Sequence, residues 1–353
     1  MRLDRFITLN LVQPFRRIFA LNSQLLTLNS SIPILMYHSI SDDLEPGTHP
    51  YYKTCTSPAI LRQHMQFLAN NGYRTITISH AVKLLTGKEG EKGTSFSSLP
   101  SVKLVVLTFD DGFQDFYTHA FPMLQEFGLT ATVFLSTAFI GNTPRLFSRS
   151  PSTTNHQPSA RQVFQPRVSS PSTINSKLST RHECLVWSEV EELSAAGIEM
   201  GSHTVNHPRL VDLRWCDIET ELRESKNAIE DRIGTTVTSF CYPFAFPQAD
   251  AAFTDRFSQT LSALGYRCCT TTDLGRVRHG DDPFCLKRLP VNSFDDQEFL
   301  HAKLAGCYDW LAWPQKITKQ CKRWVAPRRG KVSFSRRSET PPQAQSGLPM
   351  EMP

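Results

Sequence analysis

No stretch of this 353-residue sequence reaches the ~20 consecutive apolar residues that a membrane-spanning helix needs. The apolar stretch Phe6 to Val12 is interrupted by Thr8 and Asn10, and it is too short and too polar for the core of an export signal. The expectation from these two absences is a cytoplasmic protein. Charge of one sign is also scarce. The formal net charge is only +5, and much of the excess lies near the C-terminus. The body therefore lacks the basic field that a nucleic-acid partner requires, and that class is set aside. Paired cysteines are missing too: the nine cysteines are scattered singly, apart from the neighbours Cys268 and Cys269, and none forms a C-x-x-C pair. This excludes a disulfide framework and a zinc ribbon. The thiols are expected to be reduced packing residues, and any metal has to be held by histidine and carboxylate.

What is present is enough for a large core, with 40% apolar and 20% charged residues. Apolar runs that end in polar residues alternate with helical patterns along the chain. Strands are expected at Ile32 to His38, Arg74 to Ile78, Val102 to Thr108, Ala131 to Leu135, Ile198 to Ser202, Val237 to Tyr242, Tyr266 to Thr270 and Cys285 to Pro290. Helices are expected between them, among them Ser57 to Asn71, with Ser57 as cap and Pro58 in the first turn, and Trp215 to Ile233. Repeated strand–helix alternation over 32–310 indicates a parallel α/β sheet, and a barrel is its economical closure. An N-terminal extension occupies 1–31; residues 3–21 read as a surface helix, with contact to a membrane surface as the alternative. Residues 142–180 are rich in Ser, Thr, Pro, Asn and Gln and read as a low-complexity, disordered insertion. A basic tail, 311–353, with no acidic residue from Trp310 to Ser338, is expected to be disordered.

Two short segments carry chemistry. Asp110 and Asp111 follow the strand Val102 to Thr108, and Gly112 then lets the chain turn. Two carboxylates at the rim of a sheet are costly unless one binds a cation and the other moves a proton, although Asp-Asp-Gly also suits an ordinary turn. His203 and His207 follow the strand Ile198 to Met200 in the loop Gly201 to Pro208. A lone pair of histidines at this spacing is more often a surface feature than a metal site. Both loops, however, lie at strand C-termini of one α/β sheet, the rim where such folds collect their active residues. Asp111, His203 and His207 would leave a coordination position open, as catalytic metal sites do.

With these residues in view, Thr108-Phe109-Asp110-Asp111-Gly112 and His203-Thr204-Val205-Asn206-His207 resemble the first and second motifs of the polysaccharide deacetylases, the NodB-homology domain of family 4 carbohydrate esterases. The resemblance extends over roughly Pro33 to Asp309 and includes Met36-Tyr37-His38. It implies a distorted (β/α) barrel with a divalent metal, most commonly zinc, and an N-acetylated glycan as substrate. It assigns Asp111, His203 and His207 to the metal and Asp110 to the general base. Phe240-Cys241-Tyr242-Pro243-Phe244 is similar to the segment that walls the family's substrate groove, which makes the backbone N–H of Tyr242 the expected oxyanion donor. The family's last motif, Leu-x-His, is not reproduced in Leu286-Lys287-Arg288-Leu289-Pro290-Val291. His38 is the substitute general acid, since an imidazole with an unperturbed pKa near ~6.5 can protonate a leaving amine. Arg288 could pair with Asp110 and keep it ionised, or lie on the surface. His301, on the closing helix, is set aside. The same parts would serve an O-deacetylase or another linear-amide hydrolase, and a glycan-binding module without activity is a further alternative. Oligomeric state is not legible.

Overall fold

The computed structural model describes residues 2–20, 31–43, 45–87, 102–147 and 182–325. Eight parallel strands organise it: β1 Ile34–Tyr37, β2 Tyr73–Thr75, β3 Lys103–Phe109, β4 Thr132–Leu135, β5 Glu199–Ser202, β6 Ser239–Cys241, β7 Cys268–Leu274 and β8 Leu286–Pro290. Seven of them close a ring in the order β1-β8-β7-β6-β5-β4-β3, sealed by pairing of β1 with β3. The first half of β3 pairs instead with β2, so β2 stands outside the ring and the barrel is distorted at this seam.

The strands are buried on both sides, which is why they read as continuous apolar runs rather than as alternating ones. Alternation nonetheless sorts their side chains into two layers. Ile34, Val106, Phe134, Cys241, Cys268 and Leu286 form an inner cluster with the apolar face of the helix Ile78–Thr86. Leu35, Leu107, Val133, Leu135, Phe240 and Leu289 face outward into the main core beneath the surrounding helices. Gly201 lies where a Cβ would come within 2.4 Å of the Phe134 ring and 2.8 Å of Ser239 Oγ, so only glycine fits there.

The outer helices follow their sequence signals closely. In α1, Pro58–Asn70, Ser57 Oγ accepts from Ile60 N and Pro58 occupies the first turn. In α4, Trp215–Ile233, the last turn is closed by Gly234 at φ 68°. Helices at Trp187–Ala195, Ala251–Ala263 and Gln297–Leu304 complete the ring.

Two expectations about the flanks need correction. Residues Ala312–Val325 form a helix, α7, rather than part of a disordered tail; Gln315 bonds to the backbone of Leu274 and Thr272, and Lys319 to Asp273, and these polar ties hold it against the barrel. The remainder of the tail lies outside the described residues. The insertion is shorter than 142–180, because Leu146–Phe147 pairs antiparallel with His182–Glu183. Residues 148–181, like 88–101, lie outside the described residues. The N-terminal extension is helical along Leu3–Ile7, Thr8–Val12 and Gln13–Ala20.

Candidate active site

The period-two alternation of β3 continues one residue past the strand: Val106 and Thr108 point inward, and so does Asp110. Arg288 projects inward from β8 by the same rule and meets it. The guanidinium is fully buried and spends all its donors. Nε donates to Thr271 O at 2.9 Å, Nη1 to Asp110 Oδ1 at 2.7 Å and Thr108 Oγ1 at 3.2 Å, and Nη2 to Asp110 Oδ2 at 2.8 Å and Cys241 Sγ at 3.2 Å. A lysine could not reproduce this fork. Burial pushes the Asp110 carboxyl up, but the Arg288 charge, with His38 nearby, outweighs it and holds the group below its ordinary range. Asp110 is thus a buried carboxylate kept ionised. His38, which follows β1, places Nε2 3.8 Å from Asp110 Oδ2.

Asp111 turns away from its neighbour at φ 74°, and Gly112 follows at φ 71°. Its Oδ1 lies 3.4 Å from His203 Nε2 and 3.2 Å from His207 Nε2. A tetrahedral cation with ~2.0–2.2 Å bonds holds its ligand atoms roughly 3.3–3.6 Å apart, so the three groups have the spacing of a preformed site. Three further observations fit a cation. Asp111 Oδ2 is buried with no hydrogen-bond partner among the described residues. His203 Nδ1 lies 2.8 Å from the carbonyl of Cys241, which fixes the tautomer that leaves Nε2 free as a ligand. Asp111 is held well below the usual carboxylate range, because the two neighbouring imidazoles outweigh its burial, so it offers an anionic ligand. Asp110, by contrast, has both oxygens engaged by Arg288 and is the poorer ligand.

Backbone strain is concentrated here. Among the described residues, five non-glycine residues have positive φ, and four of them are Asp111, Thr204, His207 and Phe244. Such conformations persist only where the surroundings enforce them. Glu221 on α4 supplies part of that enforcement, accepting from Val205 N, Asn206 N and Asn206 Nδ2. His207 N donates to Thr204 Oγ1.

These groups open into a cavity of about 300 Å³, walled by Tyr51, Lys53, Phe244, Leu274, Val291 and Gln315, with Tyr242 also on its lining. The Phe244 ring stands 4.7 Å from that of His207. The expected oxyanion donor has to be withdrawn. Tyr242 N donates to Thr270 O at 3.0 Å, because the β6–β7 ladder runs one residue past Cys241 and consumes that N–H. The cysteines are free thiols among the described residues. Cys241 is more than packing, since its Sγ lies 3.5 Å from Asp110 Oδ2.

Residues 99–269 match the family model described as Polysaccharide deacetylase, and this stretch holds Asp110, Asp111, His203 and His207. This stretch, 171 of the 353 residues, is what the chain shares with the polysaccharide deacetylase family. His38, Arg288 and Gln315 lie outside the stretch that matches the deacetylase model. A Bacillus subtilis (strain 168) protein named as a polysaccharide deacetylase, YxkH, is 25% identical over 265 residues, covering 74% of this chain and 72% of its own. The Escherichia coli (strain K12) poly-beta-1,6-N-acetyl-D-glucosamine N-deacetylase is 37% identical over 93 residues, which are 26% of this chain and only 12% of that protein. Among solved structures, the deacetylase PplD of Streptococcus pyogenes aligns with a TM-score of 0.57 at 23% identity, covering 78% of this chain and 98% of its own. IcaB from Ammonifex degensii gives 0.53 at 20% identity, covering 78% and 97%. These two likenesses support the barrel fold.

Sequence reasoning placed Asp110, Asp111, His203 and His207 on one rim, and the structure brings them together with His38 and Arg288. It missed Glu221, Cys241 and Gln315. Nothing local marks them: Glu221 is one of several acidic residues along a long helix, and Gln315 lies in a segment that reads as tail.

Proposed function

We propose that this chain is a polysaccharide deacetylase, a metal-dependent amide hydrolase that removes N-acetyl groups from a glycan. The observation that carries the proposal is the convergence of Asp111, His203 and His207 at metal-ligand spacing beside a buried, Arg288-paired Asp110. The kinship to a poly-N-acetylglucosamine N-deacetylase favours an amide over an ester.

Asp111, His203 and His207 would hold a divalent cation, zinc being the best match to two imidazoles and one carboxylate. Such a cation supplies Lewis-acid polarisation of the acetyl carbonyl and acidifies water. The remaining work falls to the chain. Asp110, ionised and fixed by Arg288, takes the proton of the attacking water. His38, beside Asp110, gives a proton to the departing amine. Phe244 and Leu274 exclude solvent on the cavity wall, and the volume accommodates one sugar ring with its acetyl group. The test is metal analysis of the purified protein together with acetate release from N-acetylated and O-acetylated oligosaccharides. One equivalent of zinc and release from the N-acetyl series is the expected result. Release from the O-acetyl series alone would overturn the amide assignment, and no release from either would make this a binding module.

A further inference from the structure

An ordinary surface helix buries its apolar stripe and exposes its polar one. The N-terminal helical run does the reverse. Arg2, Asp4, Thr8 and Gln13 are its buried residues. Arg2 bonds to Asp4, Asn292 and Asp295, Asp4 accepts from Tyr308 Oη, and Thr8 accepts from Trp310 Nε1. On the other side, Leu3, Phe6, Leu11 and Phe15 are exposed by 68, 40, 58 and 61%.

The helix α7 repeats the inversion. Gln315 and Lys319, one turn apart, are tied to Thr272, Asp273, Leu274 and Phe246 of the barrel. Trp313 and Ile317 are also one turn apart but offset by two residues, roughly 200° around the axis, and are exposed by 72 and 37%. The first run is bonded to the segment that leads into α7: Trp310 Nε1 donates to Thr8 Oγ1 at 3.1 Å, and Arg16 Nη1 to Gly306 O at 2.6 Å. Both are basic in sequence. Arg16 and Arg17 lie in the first, Lys316, Lys322 and Arg323 in the second, and no Asp or Glu occurs from Trp310 to Ser338.

Exposed aromatic and aliphatic side chains flanked by cations, on helices whose polar residues are already satisfied by the barrel, match one chemistry: the headgroup boundary of an anionic bilayer. We infer that the N-terminal run and α7 together form a docking face for a membrane surface rich in anionic lipid. Leu3, Leu11, Phe15 and Trp313 enter the acyl boundary while the exposed Arg16 and Lys316 meet the headgroups. Among the described residues no helix is long and apolar enough to cross a membrane, so this is a face that rests on lipid rather than a span. Gln315 of α7 also lines the catalytic cavity, so docking sets that cavity beside the lipid surface. The inference stands apart from the reaction proposed above.

The test is co-sedimentation of the full chain with vesicles of phosphatidylcholine alone and of three parts phosphatidylcholine to one part phosphatidylglycerol. The chain should pellet with the anionic vesicles and bind neutral ones about tenfold more weakly or worse, with added salt weakening the difference. A Leu11→Asp, Phe15→Asp double variant, and separately Trp313→Asp, should each lower the partition coefficient by about tenfold or more. Unchanged circular dichroism and melting temperature would show that folding is intact in the variants. A wild-type chain that stays in the supernatant with anionic vesicles overturns the inference, as does undiminished binding by both variants. So does a dimer in analytical ultracentrifugation that Leu11→Asp, Phe15→Asp converts to monomer, since the face would then meet a second copy.

Discussion

Replacing Arg288 by Met should reverse the way this protein responds to pH. The guanidinium, itself fully buried, contributes two hydrogen bonds of 2.7 and 2.8 Å to Asp110. Bonds to a charged partner contribute roughly 1.5–3 kcal/mol each, and removing one member of a buried pair destabilises by ~3–5 kcal/mol. In the wild type, Asp110 titrates below its unfolded value. Its ionised form therefore adds stability above the ordinary carboxylate range, and that stability is lost as pH falls through the folded value. In Arg288→Met the Arg288 charge no longer offsets burial, so the protonated form is the one the folded state favours. Stability should then decline as pH rises from the unfolded carboxylate value near ~4 through the raised folded value, where the wild type keeps the contribution of its ionised Asp110. The acid limb of kcat/KM should move up by about two to four pH units, since losing both bonds removes ~3–6 kcal/mol of support for the anion, which corresponds to that much at 1.36 kcal/mol per unit. Arg288→Lys keeps the charge without the fork and should fall between. Thermal unfolding and acetate release, both followed across pH on metal-loaded protein, provide the readouts. An unmoved acid limb together with a wild-type melting temperature would refute the reasoning.

Asp110→Asn should retain metal while turnover falls by something like 10²–10⁴, whereas Asp111→Asn should lose metal and activity together, with partial recovery in excess zinc; metal content measured beside rate separates the two. If Asp110→Asn emptied the site, the roles would have to be exchanged. Gly201→Ala forces a methyl group against the Phe134 ring and Ser239 Oγ, and should destabilise by ~1–3 kcal/mol in denaturant unfolding; a neutral result would mean that the ring moves aside freely. Because Phe147 and His182 are direct partners, residues 148–181 can be replaced by a two-residue Asn-Gly turn, with melting temperature and metal content close to those of the parent. Loss of folded protein on that replacement would show that the segment is structural.

The sequence by itself determined the strand series, the closure of the barrel and the identity of the chemical rim. Those features are local: apolar runs flanked by caps and glycines specify strands and helices, and two short polar motifs at strand ends mark the catalytic edge. Asp111, His203 and His207 could be grouped because each follows a strand that ends at the same rim. What only the tertiary structure decided depends on which residues meet across the ring. The pairing of Arg288 with Asp110 joins β8 to β3, 178 residues apart in sequence, and no local pattern distinguishes a buried guanidinium from an exposed one. The Tyr242 N–H was lost as an oxyanion donor because the β6–β7 register runs one residue past Cys241, and register follows from packing rather than from composition. The segment 312–325, basic and free of acidic residues, reads as tail until the barrel supplies acceptors for Gln315 and Lys319; its helix follows from contacts that the segment does not itself encode.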